Sequence, residues 1–207
     1  MARDGTATRD RILDTAEKLV LDQGLAATSI DDILVGAGTS KGAFFHHFPT
    51  KNHLARALVE RYAAADIGFL DEFMAKAEAD HTDPADQLLA FISSFVEASE
   101  ELVAQQPSCL YVSYIYDKQL SEDGTNDIIK HTLLAWRARL AQKLREAAVA
   151  HPPAGNVDLD DLADHLVATF EGAFVIARAT GVPNVMRKQL ELVRNLVALS
   201  LGVESHA

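Results

Sequence analysis

TSIDDILVGAGTSKGAFFHHFPTK, residues 28–51, is two helices of about two turns each, joined by the Gly-containing turn Gly36-Ala37-Gly38-Thr39. Thr28 or Ser29 is placed to cap the first helix and Ser40 the second, because a short hydroxyl side chain satisfies the free amides of a helix start. Helices this short are marginal alone and persist only when packed. Ile30, Ile33, Leu34, Phe44 and Phe48 give the pair one apolar face to bury. The opposite face of the second helix then carries Lys41, Gly42, Phe45 and His46, a small surface without acidic groups and of a size to enter a DNA major groove. A plain helical hairpin with an aromatic core is the bland alternative.

Outward from this stretch the pattern stays helical, with apolar residues at spacings of three and four and no alternating or β-branched run that would make a strand. About nine helices are expected. The first, near 7–23, sets Ile12, Leu13, Ala16, Leu19 and Val20 on one face and ends at Gly24. Thr50 caps a long helix from Lys51 to about residue 79, and Asp83-Pro84 starts the next. Later helices are expected near 84–104, 108–120, 125–150, 158–180 and 184–202, divided by Pro107, Gly124, Pro152-Pro153-Ala154-Gly155-Asn156 and Gly181-Val182-Pro183. The expected fold is all-α: a helix-turn-helix domain over 1–50 and a helical body over 51–207.

Composition narrows the function classes. With 48% hydrophobic residues in a chain of 207, the protein can bury a real core. No run approaches the roughly 18 apolar residues of a membrane span, and the start MARDGTATRDR lacks the apolar stretch of a signal peptide. A cytoplasmic protein with no membrane partner is expected. Cys109 is the only cysteine, so an intrachain disulfide and a multi-thiolate zinc site are excluded. The net charge of −11 argues against nucleic acid until its distribution is considered. Residues 1–56 hold seven Lys/Arg and seven Asp/Glu, whereas residues 57–207 hold twelve and twenty-three. An acidic body with one neutral end meets DNA only through that end.

Thr28, the Gly38-Thr39-Ser40-Lys41-Gly42 turn, the cluster Phe44-Phe45-His46-His47-Phe48 and Lys51 together resemble the DNA-binding signature of the TetR family, over about residues 7–56. The resemblance implies a homodimeric helix-turn-helix repressor whose C-terminal helices bind a small-molecule effector. Carried over by position, Lys41, Gly42, Ala43 and His46 would meet bases, and Thr28, Phe45, His47 and Lys51 the phosphate backbone, with Ser40 at the helix start. Two positions depart from the family. Ala43 and Phe45 stand where hydroxyl-bearing residues are common, which removes two polar contacts or substitutes a thymine-methyl contact at Ala43. The expected partners are a near-palindromic double-stranded operator, an unidentified effector and a second copy of the chain, bound through residues 158–202.

The resemblance would place Phe91, Phe95, Cys109, Tyr111, Tyr114, Trp136, Phe170 and Phe174, with Tyr116, on the wall of an effector cavity, although ordinary core packing predicts the same aromatic residues. Arg137, Arg139 and Arg178 leave an anionic effector open. Cys109 lies near a helix start, where the helix dipole favours thiolate, so an electrophile or redox sensor is one alternative and an inert small hydrophobe the other. Glu78-Ala-Asp-His81 has the spacing of a helical di-metal site, the basis of a metal-enzyme alternative. It occurs once, without the second copy and the two further inward Glu that such a site needs. No phosphate loop or nucleophile elbow is present. The expectation is therefore no enzyme, no cofactor and no metal. For the dimer interface, Leu159, Leu162, Leu166, Phe170 and Phe174 on one helix and Met186, Leu190, Val193, Val197 and Leu201 on the next are the apolar stripes available.

Overall fold

The computed structural model describes residues 5–105, 109–115, 124–153, 155–182 and 184–204. Among them are nine helices and no strand: α1 Gly5–Gln23, α2 Ile30–Ala37, α3 Lys41–His47, α4 Lys51–Asp80, α5 Pro84–Gln105, α6 Leu110–Ile115, α7 Thr125–Ala150, α8 Leu159–Thr180 and α9 Val185–Leu201. The expected extension of the sixth helix over 116–120, and Tyr116 with it, lies outside the described residues. Backbone contacts divide the chain into two compact units, Met1–Ala64 with Ser108–Lys130, and Ala65–Pro107 with His131–Ala207. Helices α4 and α7 each contribute to both.

In the first unit, Ile12, Leu13, Ala16 and Val20 of α1 are buried, as their spacing requires, and α2, α3 and α6 pack on this helix. Gly24 turns the chain in the left-handed region, at φ 83°. Arg61 of α4 reaches two carboxylates of α1, pairing with Asp14 at 2.6 Å and with Glu17. Cys109, Tyr111 and Tyr114 are buried in this unit, and Tyr111 meets Tyr62 edge to face with ring centroids 5.0 Å apart.

In the second unit α9 lies along α5 and α8. Its stripe Met186, Leu190, Val193, Val197 and Leu201 is buried in the core, together with Leu88, Ile92 and Phe95 of α5. This corrects the expected dimer surface. The stripe is consumed inside the chain, because α5 offers a matching apolar face that sequence periodicity does not pair with α9. Leu166 and Phe174 of α8 are buried in the same core, and Leu159, Leu162 and Phe170 pack half-buried against it. The apolar residues left exposed on the last two helices are Val175, Ile176, Leu192, Leu196 and Leu199, with Val182 between them. Asp158 caps α8 through bonds from the amides of Asp160 and Asp161, and Gly181 closes it at φ 67°.

A polar clasp joins the end of α4, the start of α5 and α7. The Lys143 side chain is 3% exposed and donates to Gln87 at 2.8 Å, with Glu78 at 2.8 Å and Glu146 at 2.7 Å as its counter-charges. Arg139 also pairs with Glu78 at 2.8 Å. The hydrogen bond from Lys143 is the main reason the Glu78 and Glu146 carboxyls titrate below the ordinary range. His151 does the same for Asp83 across 2.8 Å.

Candidate DNA-recognition helix and effector cavity

The helix-turn-helix is built by local hydrogen bonding. Ser29, not Thr28, caps α2: its Oγ accepts from the Asp32 amide at 3.1 Å while the Asp32 carboxylate accepts from the Ser29 amide and hydroxyl. This reciprocal pair is a capping box. At the other end Gly38 takes φ 57°, a left-handed conformation that costs an L side chain about 1–2 kcal/mol. There the Gly38 amide bonds to the Val35 carbonyl and the Thr39 amide to that of Leu34. Ser40 then caps α3 by accepting from the Ala43 amide at 3.2 Å. Phe44 and Phe48 are buried on the inner side, and Arg9 of α1 stands over the Phe48 ring at 5.4 Å.

The outer side of α3 presents the residues expected there. Lys41, Gly42, Phe45 and His46 are exposed, Ala43 and His47 are half-exposed, and a Cβ built on Gly42 would meet nothing within 4 Å. Phe45 is 39% exposed, its ring held edge-on by Phe44 at 5.3 Å. Nothing acidic lies in this helix, and the first turn of the preceding α2 holds Asp31 and Asp32.

Two of the residues expected at the phosphate backbone are engaged inside the protein. Thr28 is 1% exposed, and its hydroxyl donates to the Gly24 carbonyl at 2.8 Å while accepting from Gln23 Nε2. Its amide bonds to the carbonyls of Gly24 and Leu25. Thr28 therefore shapes the turn between α1 and α2. Lys51 Nζ donates to the Leu25 carbonyl at 2.6 Å, anchoring the start of α4 to that same turn. Both roles are invisible to spacing arguments, since the partner is a backbone carbonyl.

Of the nine residues expected on a cavity wall, the eight that lie within the described residues divide between the units. Phe91, Phe95, Trp136 and Phe170 line one cavity of the second unit, of about 50 Å³. Phe174 is buried against Phe170, centroids 5.4 Å apart, and does not line it. Cys109, Tyr111 and Tyr114 belong to the first unit and do not line it either. The four rings at the cavity pack on one another: Phe91 to Phe95 is 5.2 Å, Phe95 to Trp136 is 5.7 Å, and Trp136 stacks on Phe170 at 6.2 Å with planes 25° apart. Trp136 Nε1 is buried with no acceptor among the described residues, a state that folded proteins rarely leave unanswered.

Aliphatic residues complete the wall from α5, α7, α8 and α9, and Asp66 of α4 and Glu171 of α8 are also among the residues that line it. Sequence reasoning missed these two. The available signal was an acidic residue inside an apolar stripe, Ile67 and Leu70 following Asp66, and Leu166, Val167, Phe170 and Phe174 around Glu171. By contrast Glu78 is taken up by Lys143 and Arg139, and His81 is exposed. Among the described residues, no three His, Cys, Asp or Glu side chains group closely enough to hold a metal, and no helix is long and apolar enough to cross a membrane.

Comparison with known proteins agrees with this architecture. Residues 12–58 match the model of the bacterial regulatory proteins of the tetR family, and residues 84–193 match the tetracyclin repressor-like C-terminal domain. The transcriptional regulator AcuR of Cereibacter sphaeroides is 25% identical over 185 residues, which cover 86% of this chain and 79% of that protein. A TetR-family regulator from Agrobacterium tumefaciens superposes with a TM-score of 0.78 at 20% identity, over 93% of this chain and 98% of that one. The reduced form of Escherichia coli NemR gives 0.68 at 25% identity, over 91% and 96%. With the second of these family models alone spanning more than half its length, the chain belongs to the TetR family of DNA-binding transcriptional regulators.

Proposed function

We propose that this regulator is a cytoplasmic homodimeric repressor that reads a near-palindromic operator through α3 and releases it when a small molecule fills the cavity of the second unit. The single observation that carries the DNA reading is the outer side of α3: Lys41 and His46 flank an unobstructed Gly42 on a helix without acidic residues. Lys41, Gly42, Ala43 and His46 act at base edges. Phe45 and His47 act beside them at the backbone, Ser40 supports them from the helix cap, and Thr28 and Lys51 position the motif from inside. DNA contact belongs to residues 1–50, and effector binding and dimerisation belong to 51–207. Helix α4 begins beside the DNA-binding motif and is shared with the unit that holds the cavity, so a ligand that favours one arrangement of that helix changes operator affinity. Typical coupling of this kind is about 1–3 kcal/mol, roughly 5- to 150-fold in affinity. The exposed apolar residues of α8 and α9 are the surface for the second copy, since six large apolar side chains are left uncovered on and between two helices that pack together, and larger exposed apolar surfaces mark association sites.

Selection of bound sequences from random DNA tests the reading. The wild type should enrich one sequence with two-fold symmetry. Replacing Lys41 and His46 by Ala should abolish enrichment, because each lost base contact costs roughly 1–3 kcal/mol in each half-site. A wild type that enriches nothing, or a double variant that enriches the same sequence, refutes it.

A further inference from the structure

We propose that Arg9 of α1 is a phosphate contact of the DNA-binding face, its guanidinium held over the ring of Phe48 beside the C-terminal end of the recognition helix. This rests on the operator reading above and extends the DNA surface from α3 to a second helix. The starting point is a deficit. Thr28 and Lys51 turn inward to the backbone carbonyls of Gly24 and Leu25, and Phe45 brings no hydroxyl. Yet roughly half to two-thirds of the hydrogen bonds in a protein–DNA interface go to phosphate and sugar, so other anchors are needed at this end of the chain.

Helix periodicity selects the residue. Arg9 stands three and four positions before Ile12 and Leu13, so it continues the buried stripe of α1. Where that stripe runs past the core it meets the end of α3. A Cβ built on Gly5 would lie 3.5 Å from Cε1 of His47, and Arg9 Cζ lies 5.4 Å from the Phe48 centroid. The His47 ring is 6.4 Å from the same Phe48, so Arg9 and His47 stand together at one margin of the recognition helix. Arg11 and Lys18, two and nine positions on, fall on the opposite side of α1. Arg56 and Arg61 are taken up by Glu60 and by Asp14 with Glu17. Arg9 is exposed, and among the described residues no carboxylate pairs with it. A guanidinium lying on a ring face keeps its N–H edge free for the two oxygens of a phosphate. Phe48 belongs to the inner side of α3, so Arg9 borders the face that meets bases and does not stand in it.

The salt dependence of operator binding by the full-length protein tests the proposal, because each phosphate contact releases counterions and adds about 0.9 to the slope of log affinity against log salt. Arg9→Gln removes one contact from each half-site of a dimer, so the slope should fall in magnitude by about 1.8. The gap between wild type and variant should then close about tenfold as salt rises from about 50 to about 200 mM. The sequence selected from random DNA should stay that of the wild type, since a phosphate contact carries no base information. Arg9→Lys should restore most of the slope, and Arg11→Gln and Lys18→Gln should leave it unchanged. Arg9→Met, which keeps an apolar stem over Phe48, gives the same reading should Gln loosen that packing. An unchanged slope for Arg9→Gln, an equal drop for Arg11→Gln, or a new selected sequence overturns the proposal. If the wild type selects no sequence, the operator reading falls by itself. The slopes are then compared on random duplex, where phosphate contacts persist: a drop of the same size keeps the Arg9 contact, and none removes it.

Discussion

Gly36→Ala isolates the contact that seats the helix-turn-helix on α1. A Cβ built on Gly36 comes 2.6 Å from Cγ2 of Thr15, where ordinary contact begins at 3.4 Å. Thr15 is β-branched and helical, so its χ1 has few wells in which to retreat. Overpacking of this kind costs about 1–3 kcal/mol. Ala instead of Gly inside a helix returns about 1 kcal/mol, so the net loss is at most about 2 kcal/mol. Thr15→Ser removes Cγ2 and leaves Cβ at an ordinary 3.9 Å. In that background Gly36→Ala should stabilise by about 1 kcal/mol, which makes the coupling between the two sites about 1–3 kcal/mol. Urea midpoints of the four proteins at one chain concentration measure it, because a dimer's stability depends on concentration. Gly42→Ala serves as the control: its Cβ meets nothing, so stability should rise by up to about 1 kcal/mol in either Thr15 background while operator affinity changes. If Gly36→Ala has the same effect in the wild-type and Thr15→Ser backgrounds, the steric argument is wrong.

Tyr114→Phe should raise stability by about 1 kcal/mol, since the Tyr114 hydroxyl is buried with no partner among the described residues and burial, with the Glu17 carboxylate, pushes its titration upward; a loss of stability on calorimetry would show that the hydroxyl is satisfied. Glu78 and Glu146 titrate below the ordinary glutamate value, so their contribution is fully present above about pH 4.3 and is lost as pH falls through the depressed folded values. Lys143→Met should flatten that acid limb in a stability-against-pH series, and an unchanged limb would remove Lys143 as its cause. Leu199→Asp, at a position 73% exposed in the single chain, should leave helical content intact and shift sedimentation toward monomer, whereas Leu190→Asp should unfold the second unit; a Leu199→Asp dimer as tight as wild type moves the interface elsewhere.

How far the sequence could be read depended on whether the partner of each feature was local. The helix starts at Lys51, Pro84, Thr125 and Val185 lie within about a residue of expectation because caps and proline act over three or four residues. Ser29 was recognisable for the same reason, although Thr28 competed with it. Thr28 itself was not, because its hydroxyl could as well have faced a phosphate as the Gly24 carbonyl. Lys51 is the same case at longer range, with its acceptor 26 residues back in the chain. The cavity was half legible: Phe91 and Phe95 recur one turn apart, and so mark a shared face, but nothing local assigns Tyr114 to the first unit and Trp136 to the second.

The last two helices show where periodicity runs out in principle. A stripe of Met186, Leu190, Val193, Val197 and Leu201 at spacings of three and four states that one side of α9 avoids water. It does not state what covers that side. A core helix and an interface helix obey the same rule, because burial against α5 and burial against a second chain remove the same kind of area at about 25 cal/mol per Å². The distinguishing information is the residue count on the other side. Once the stripe is consumed by α5, Leu192, Leu196 and Leu199 remain exposed beside it, and a helix with two apolar sides needs two partners. One of them is inside the chain, and the exposed side is what a second chain would cover, so the dimer prediction rests on the residues that the core leaves over.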